Sequence, residues 1–227
     1  MTVHNWARVD ADLFHDFHQS WTIQICDALN SGLLPSRLSA LVEPSNCALR
    51  ELFETRNLFD AKEQTLANRA NRIVIRHRLS EAVCMIEVVS PGNKASRAAL
   101  RSFVQKTHEF LRAGVNVLII DLFPPTPRDP QGIHKAIWDE FESKPFKLPS
   151  RKPLLLAAYV AGDLSVGRST RAYVEPIAVG DKLPDMPAYL NPDSYVPVLL
   201  ESTYQAAWET CPPDMRYLVE HGKLPDE

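Results

Sequence analysis

The segment from Val83 to Leu122 constrains the fold more than any other part of the chain. Val83–Val89 is an almost continuous apolar run, typical of a central strand that is covered on both faces. A helical pattern follows over residues 96–113 and ends before Gly114, and a second buried strand runs over residues 115–122. A strand, a helix and a strand of this length predict a right-handed βαβ crossover.

Further elements are expected on both sides of this unit. The apolar periodicity predicts three helices and four strands outside it, the helices at residues 12–30, 132–142 and 194–209 and the strands at 37–43, from Asn71 onward, 153–161 and 170–177. We therefore predict the α/β class, with a mixed central sheet flanked by helices. No repeat or low-complexity linker divides the chain, so we expect one domain over residues 1–227, with its core at about 71–122.

Composition disfavours several classes of function but does not identify one. The chain has 227 residues, 45% of them hydrophobic, and a formal net charge of −3, which disfavours a uniformly basic nucleic-acid-binding protein. No apolar run approaches the roughly 20 residues that cross a bilayer, and the N-terminus does not have the pattern of a signal peptide. We expect a soluble, cytoplasmic protein that does not enter the membrane. The separated cysteines, with no CxxC pair, disfavour a zinc site or a disulfide framework.

The positive charge is nevertheless concentrated in one part of the chain. Residues 69–112 hold nine basic residues and three acidic ones. The period-two pattern after Asn71 places three arginines on the side of the strand opposite Ile73, and two more follow near the start of the next helix. We predict a phosphate-binding face for nucleic acid, with a solvated strand face as the alternative. The arginines are Arg72, Arg76, Arg78, Arg97 and Arg101.

Glu87 and Lys106 are the two polar interruptions of otherwise apolar patterns. Glu87 shares a strand face with Met85 and Val89, where an unpaired carboxylate costs several kcal/mol. Lys106 projects from the apolar stripe of the helix that should pack on this sheet. The two side chains are therefore expected to meet, either as a structural ion pair or as part of a metal or catalytic site.

Other polar residues offer alternatives. Lys94, in the turn after Glu87, is a rival partner for that carboxylate. Asp121 ends the second strand at the carboxyl edge, where α/β sheets place their sites, although a cap or turn role explains it equally well. His15 and His18 lie three residues apart on the first helix, but no third ligand is evident, so surface or capping roles are favoured over a metal site.

The segment Ile86–Lys94 resembles the signature of a bacterial domain family of unknown function, number 4058 in that series. The resemblance covers nearly the whole chain, but it implies no reaction. Further stretches that resemble the family are His4–Asp10, Phe14–His18, Leu118–Pro125, Asp129–His134, Tyr173–Pro176, Asp181–Pro187, Tyr195–Val198 and Tyr204–Trp208.

A more distant resemblance implies a chemistry. Glu87-Val-Val-Ser-Pro, a helix with one lysine, then Gly114-Val and a strand that ends in Asp121 are similar to restriction-endonuclease-like proteins of the Uma-two type, in the PD-(D/E)XK superfamily. Active members bind Mg²⁺ through two acids and use a lysine to position or activate water. The resemblance implies that Glu87 is the second acid and a metal ligand, that Lys106 is the relocated lysine, and that Lys94 and the arginines hold the phosphate backbone.

The first acid of that pattern has no clear counterpart. A Pro-Asp is expected on the strand before that of Glu87, yet none occurs between Val42 and Asn71; Glu43–Cys47 and Leu58–Asp60 are the nearest substitutes, so Asp60 is a weak candidate metal ligand. The expected function is a metal-dependent nuclease or phosphodiesterase acting on nucleic acid. The alternative is a non-catalytic binding or oligomerisation module that retains the fold, so enzymatic activity and a homo-oligomeric state stay open.

Overall fold

A six-stranded mixed sheet organises the protein, as seen in a computed structural model that describes residues 3–44 and 71–224. The strands follow one another across the sheet in chain order. β3 and β4 form a parallel pair, and the four other neighbouring pairs are antiparallel. The strands are β1 (Leu38–Pro44), β2 (Asn71–His77), β3 (Glu81–Val88), β4 (Asn116–Asp121), β5 (Leu154–Val160) and β6 (Arg171–Ile177).

Helices flank this sheet, and a separate hairpin of β7 (Met186–Asn191) and β8 (Ser194–Val198) packs against β3, β4 and β5. The structure confirms the predicted α/β class with a mixed central sheet. It also confirms the crossover from β3 to β4, whose helix ends at Arg112 and is followed by Gly114, which has a φ of +83°. The helices are α1 (Ala11–Ala28), α2 (Pro91–Lys94), α3 (Arg97–Arg112), α4 (Gly132–Trp138), α5 (Leu200–Thr210) and α6 (Pro213–His221).

Side-chain alternation in the central strands divides the core between the two faces of the sheet. In β3, Ile86 and Val88 pack on the face that α1 and the hairpin cover, whereas Met85 packs on the face that α3 and α4 cover. Glu87 alternates with the same phase as Met85, so its carboxylate lies beneath α3. Glu87 is therefore enclosed between a face of α3 and a face of β3. Both faces are apolar apart from a few charged groups.

An aromatic cluster joins the beginning and the end of the described chain. The face of α1 that carries Phe17 and Trp21 packs against Tyr204 of α5, with ring centroids 4.9 and 5.1 Å from that of the tyrosine. The Tyr204 hydroxyl accepts hydrogen bonds from the indole nitrogen of Trp6 at 3.0 Å and from the backbone N–H of His4 at 3.2 Å. These contacts fix the segment before α1 against a helix some 200 residues further along the chain.

The C-terminal part differs from the sequence-based expectation. The predicted helix at 194–209 begins only at Leu200, because the residues before it form β8. Pro187 and Pro197 lie opposite one another in this two-stranded hairpin. Proline is tolerated at both positions because no third strand of the described chain pairs with either one. The predicted helix at 132–142 ends at Trp138. Within the described residues, no helix combines the length and apolar character needed to span a membrane.

Candidate phosphate-binding site and its buried ion clusters

Glu87 shares a covered face of the sheet with two cations, in what we call the glutamate cluster: Arg72, Glu87 and Lys106. Extending by one residue the register that pairs Ile73 with Ile86 places Arg72 directly opposite Glu87, on the same face of the sheet. Lys106 reaches this face from α3, and its charge interacts with both Glu87 and Arg72. Glu87 is 3% exposed and Arg72 is 0% exposed. The predicted approach of Glu87 and Lys106 is therefore present, with Arg72 as an additional member.

The Arg72 side chain has contacts on several sides. Its guanidinium lies 5.3 Å from the ring centroid of Phe110 and donates a hydrogen bond of 3.4 Å to the carbonyl of Pro44. The sequence pattern places Arg72 on the outer side of β2, as a phosphate-binding residue or as part of a solvated strand face; that outward placement is wrong because α3 covers this part of the strand. From this buried position the Arg72 guanidinium cannot reach a phosphate in solution.

Burial has a direct effect on the third member of the cluster. It lowers the pKa of Lys106 to about 8, a shift that Arg72 reinforces and that Glu87 partly opposes. The site therefore combines one carboxylate with one permanently charged guanidinium and one ammonium that loses its proton more easily than usual.

The described part of the glutamate cluster does not by itself supply the ligands of the Mg²⁺ ion that the resemblance implies. Magnesium needs several oxygen ligands, whereas Glu87 is the one carboxylate of this cluster among the described residues. The β2 residue opposite Glu87 is the cation Arg72 rather than a second acid. Among residues 3–44 and 71–224, no three His, Cys, Asp or Glu side chains lie close enough to hold a metal. Asp60 lies outside the described residues.

A second buried group lies at the carboxyl ends of β3 and β4, and we call it the aspartate cluster: Lys94, Asp121 and Asp129. The Lys94 ammonium is 2.6 Å from Asp121 Oδ2 and 3.1 Å from Asp129 Oδ2, and it donates a hydrogen bond of 3.2 Å to the Phe123 carbonyl. Lys94 is 4% exposed. Its partners are these two aspartates rather than Glu87, and its catalytic role stays a prediction.

The two aspartates of this cluster have other tasks as well. Asp121 Oδ1 accepts a hydrogen bond from the Phe123 N–H, and Asp129 Oδ1 accepts hydrogen bonds from the backbone N–H and the hydroxyl of Thr126. Desolvation raises the pKa of Asp121 to about 6, even though Lys94 opposes the shift. Because Asp121 and Asp129 bracket the loop at 122–128, Lys94 fixes both ends of that loop.

The loop carries Arg128 into a groove of about 780 Å³ beside the beginning of α3. Arg128 Nη1 donates a hydrogen bond of 3.3 Å to the Lys94 carbonyl, which links the arginine to the aspartate cluster. Arg97 and Arg101, one helical turn apart on α3, line the same groove, with Glu140 as the acidic residue. We call this surface the arginine groove. It brings two of the predicted phosphate-binding residues together with Arg128, which the sequence analysis did not single out.

The other predicted arginines are elsewhere. Arg76 forms a two-point salt bridge with Glu43, with distances of 2.7 and 3.1 Å, and also donates to the Ser80 carbonyl. Arg78 is exposed in the turn between β2 and β3, with a φ of +48°. The five arginines therefore do not form one continuous face: Arg97 and Arg101 share a groove, while Arg76 already has a carboxylate partner.

The paired histidines of α1 also have separate environments. The preference for a surface or capping role is wrong for His18, which is buried and donates a hydrogen bond of 3.1 Å from Nε2 to the Val88 carbonyl. Burial lowers the pKa of His18 to about 4. The imidazole is consequently neutral at physiological pH and joins α1 to the end of β3.

Comparison with protein-family models, curated proteins and solved structures finds no match for this chain. The resemblances drawn from the motifs are therefore untested predictions. Sequence reasoning missed Asp129 and Arg128 as members of the site. The signal that could have found them is the Thr126–Asp129 stretch, whose polar residues and single proline predict a tight, side-chain-capped turn shortly after the strand that ends at Asp121.

The lowered pKa of Lys106 predicts a rise in stability at alkaline pH. Between about pH 8, its value in the folded state, and 10.5, the value of an ordinary lysine, the unfolded chain binds more protons than the folded one. The contribution of Lys106 to the free energy of unfolding therefore increases with pH across this window. We expect Lys106→Met to remove that increment. Urea unfolding of both proteins at a series of pH values measures it, and identical slopes would contradict the assignment.

Proposed function

We propose that the protein binds the phosphate backbone of nucleic acid in the arginine groove. The observation that carries this proposal is the convergence of Arg97, Arg101 and Arg128 on one open groove that contains a single acidic lining residue, Glu140. Guanidinium groups bind phosphate oxygens through two parallel hydrogen bonds, and their charge persists at every physiological pH. The groove also lies beside the positive end of the dipole of α3, which adds to its attraction for anions.

The two buried clusters support this proposal because they form the framework that holds the groove in place. The aspartate cluster fixes the loop that carries Arg128, and the Lys94 carbonyl accepts a hydrogen bond from the same arginine. The glutamate cluster lies beneath the middle of α3, the helix that supplies Arg97 and Arg101. In this proposal neither cluster contacts the nucleic acid, and both act by holding the phosphate-binding side chains in place.

The test is the affinity for a fluorescein-labelled oligonucleotide, followed by fluorescence anisotropy over a series of salt concentrations. We expect Arg97→Gln, Arg101→Gln and Arg128→Gln each to weaken binding by about fivefold, equivalent to about 1 kcal/mol. Each lost phosphate contact should also reduce the salt slope by about 0.7 for a single strand or about 0.9 for a duplex.

Arg112→Gln is the matched control, because Arg112 is an exposed arginine at the opposite end of α3. It should leave both the affinity and the salt slope unchanged. Absence of binding at low salt, or equal affinities for the wild type and the triple variant at 97, 101 and 128, would exclude the arginine groove as a nucleic-acid site.

Metal-dependent hydrolysis of the bound strand is the second candidate function, favoured by the proximity of Glu87 and Lys106. It needs further metal ligands, and among the described residues no group of three His, Cys, Asp or Glu side chains could hold a metal ion. Single- and double-stranded DNA and RNA should be incubated with Mg²⁺ or Mn²⁺ and with the wild type, Glu87→Ala or Lys106→Ala. The binding proposal expects intact strands in every case. Cleavage by the wild type that both variants lose would establish hydrolysis instead.

A further inference from the structure

A second groove, of about 440 Å³, lies between α1 and the corner where α5 passes into α6. α1 contributes Leu13, Asp16 and Phe17, and the beginning of α6 contributes Asp214, Met215 and Leu218. A hydrogen bond of 3.1 Å between the Ser20 and Thr210 hydroxyls joins the two walls. This groove is on the α1 side of the sheet, whereas the arginine groove is on the α3 side.

The groove combines an apolar lining with two carboxylates that lack partners. Phe17 and Met215 are buried at its base, while Asp16 and Asp214 are exposed, one on each helix. In the part of the chain that the structure describes, neither aspartate forms a salt bridge or accepts a hydrogen bond from another residue. Arg216 interacts electrostatically with Cys211, but it does not line the groove.

This combination selects the ligand by charge as well as by apolar contact. A volume of 440 Å³ falls within the range of small-molecule sites, which are mostly apolar with a few polar groups that orient the ligand. Two unpaired carboxylates repel an anion and attract a cation. We propose that this groove binds an organic ammonium ion, with its hydrocarbon or aromatic body on Phe17 and Met215 and its charged nitrogen between Asp16 and Asp214.

Cys211 also lines the groove. Cys211 donates a weak hydrogen bond to the Ala207 carbonyl, with a sulfur–oxygen distance of 3.6 Å. Burial raises the pKa of this thiol, Arg216 partly opposes the shift, and the Asp16 carboxylate reinforces it. A raised pKa reduces the fraction of thiolate, the reactive form of cysteine, so the proposal gives Cys211 no covalent role.

The experiment compares hexylammonium with hexanoate, two probes that share an apolar chain and differ in charge. Titration calorimetry measures the affinities, and the chemical shifts of backbone amides locate the site. We expect hexylammonium to bind more tightly than hexanoate and to move the amide signals of residues 13–20 and 210–218. Asp16→Asn and Asp214→Asn should each weaken its binding by roughly two- to fivefold, as expected for exposed ion pairs.

Asp12→Asn is the matched control, since Asp12 is an exposed aspartate on α1 that does not line the groove. It should leave the affinity unchanged. Equal affinities for the two probes, an unchanged affinity in the Asp16→Asn/Asp214→Asn double variant, or shift changes confined to other parts of the protein would each overturn the proposal. The substituted aspartates are exposed, so these variants test binding without disturbing the core.

Discussion

Replacing Lys94 with methionine should destabilise the protein by about 3–5 kcal/mol at pH 7, the usual result of removing one partner from a buried ion pair. Lys94 is the only cation within salt-bridge distance of Asp121 and Asp129 among the described residues, and all three are almost completely buried. Methionine retains the length and apolar stem of lysine. The loss therefore measures the charge rather than the packing.

The same variant should regain stability as the pH falls. The pKa of Asp121 is already raised to about 6 in the presence of Lys94, and removal of the ammonium raises it further because Lys94 lowers it. A folded state that binds more protons than the unfolded state gains stability with decreasing pH. We therefore expect urea unfolding to show a smaller deficit at pH 5 than at pH 7.

Lys135→Met is the control for that substitution. Lys135 forms a salt bridge with Asp139 one helical turn away, and both side chains are partly exposed. Surface pairs of this kind contribute about 0.3–0.5 kcal/mol, so the control should change stability little and without pH dependence. A Lys94→Met variant that resembled the Lys135→Met variant in both respects would disprove the structural role of the aspartate cluster.

Replacing Glu87 with glutamine should have a comparably large effect at pH 7, again about 3–5 kcal/mol. The substitution removes the buried carboxylate whose charge interacts with Lys106 and which lies opposite Arg72 in the sheet register. Arginine does not lose its proton in proteins, whereas the pKa of Lys106, which Glu87 raises, should fall further below 8. The deficit should therefore decrease between pH 7 and pH 9, as Lys106 becomes neutral.

A double-mutant cycle separates the two cations. Lys106→Met alone should cost less than about 1.5 kcal/mol, as a volume-conserving change in an apolar setting. Because the charge of Glu87 interacts with Lys106, removing Lys106 also removes that part of the cost of Glu87→Gln, so the double variant should lose less than the sum of the two single variants. Glu81→Gln, at an exposed position of the same strand, is the matched control. Strictly additive effects of the two substitutions would show that Glu87 and Lys106 are independent.

Local pattern was enough to predict the presence of the glutamate cluster but not its composition. Alternation in β3 places Glu87 on a covered face, and the helical stripe directs Lys106 toward the same face, so their meeting follows from two periodicities. The sequence pattern predicts that Arg72 is exposed to solvent, because the polar side of a half-buried strand such as β2 normally faces outward. In the structure both faces of that strand end are covered, a consequence of where α3 packs.

The aspartate cluster and the arginine groove depend on a different kind of information. Asp121 could be placed at the end of β4 from the sequence, but its contact with Lys94 and Asp129 requires the path of the loop at 122–128. That path is set by side-chain hydrogen bonds, such as those from Thr126 to Asp129, rather than by a periodic pattern. For the same reason Arg97 and Arg101 were predictable from their spacing, whereas Arg128 was not.

The contact between α1 and α5 has a consequence for how the chain is made. Tyr204 and Trp208, which cover the aromatic side of α1, are synthesised almost 200 residues after that helix. At about 5–20 residues per second, Phe17 and Trp21 remain for roughly ten seconds or more without these neighbours. A nascent chain in this interval presents an apolar surface, so chaperones that bind unfinished chains should matter more for its yield than for proteins in which such a helix packs against its neighbours in sequence.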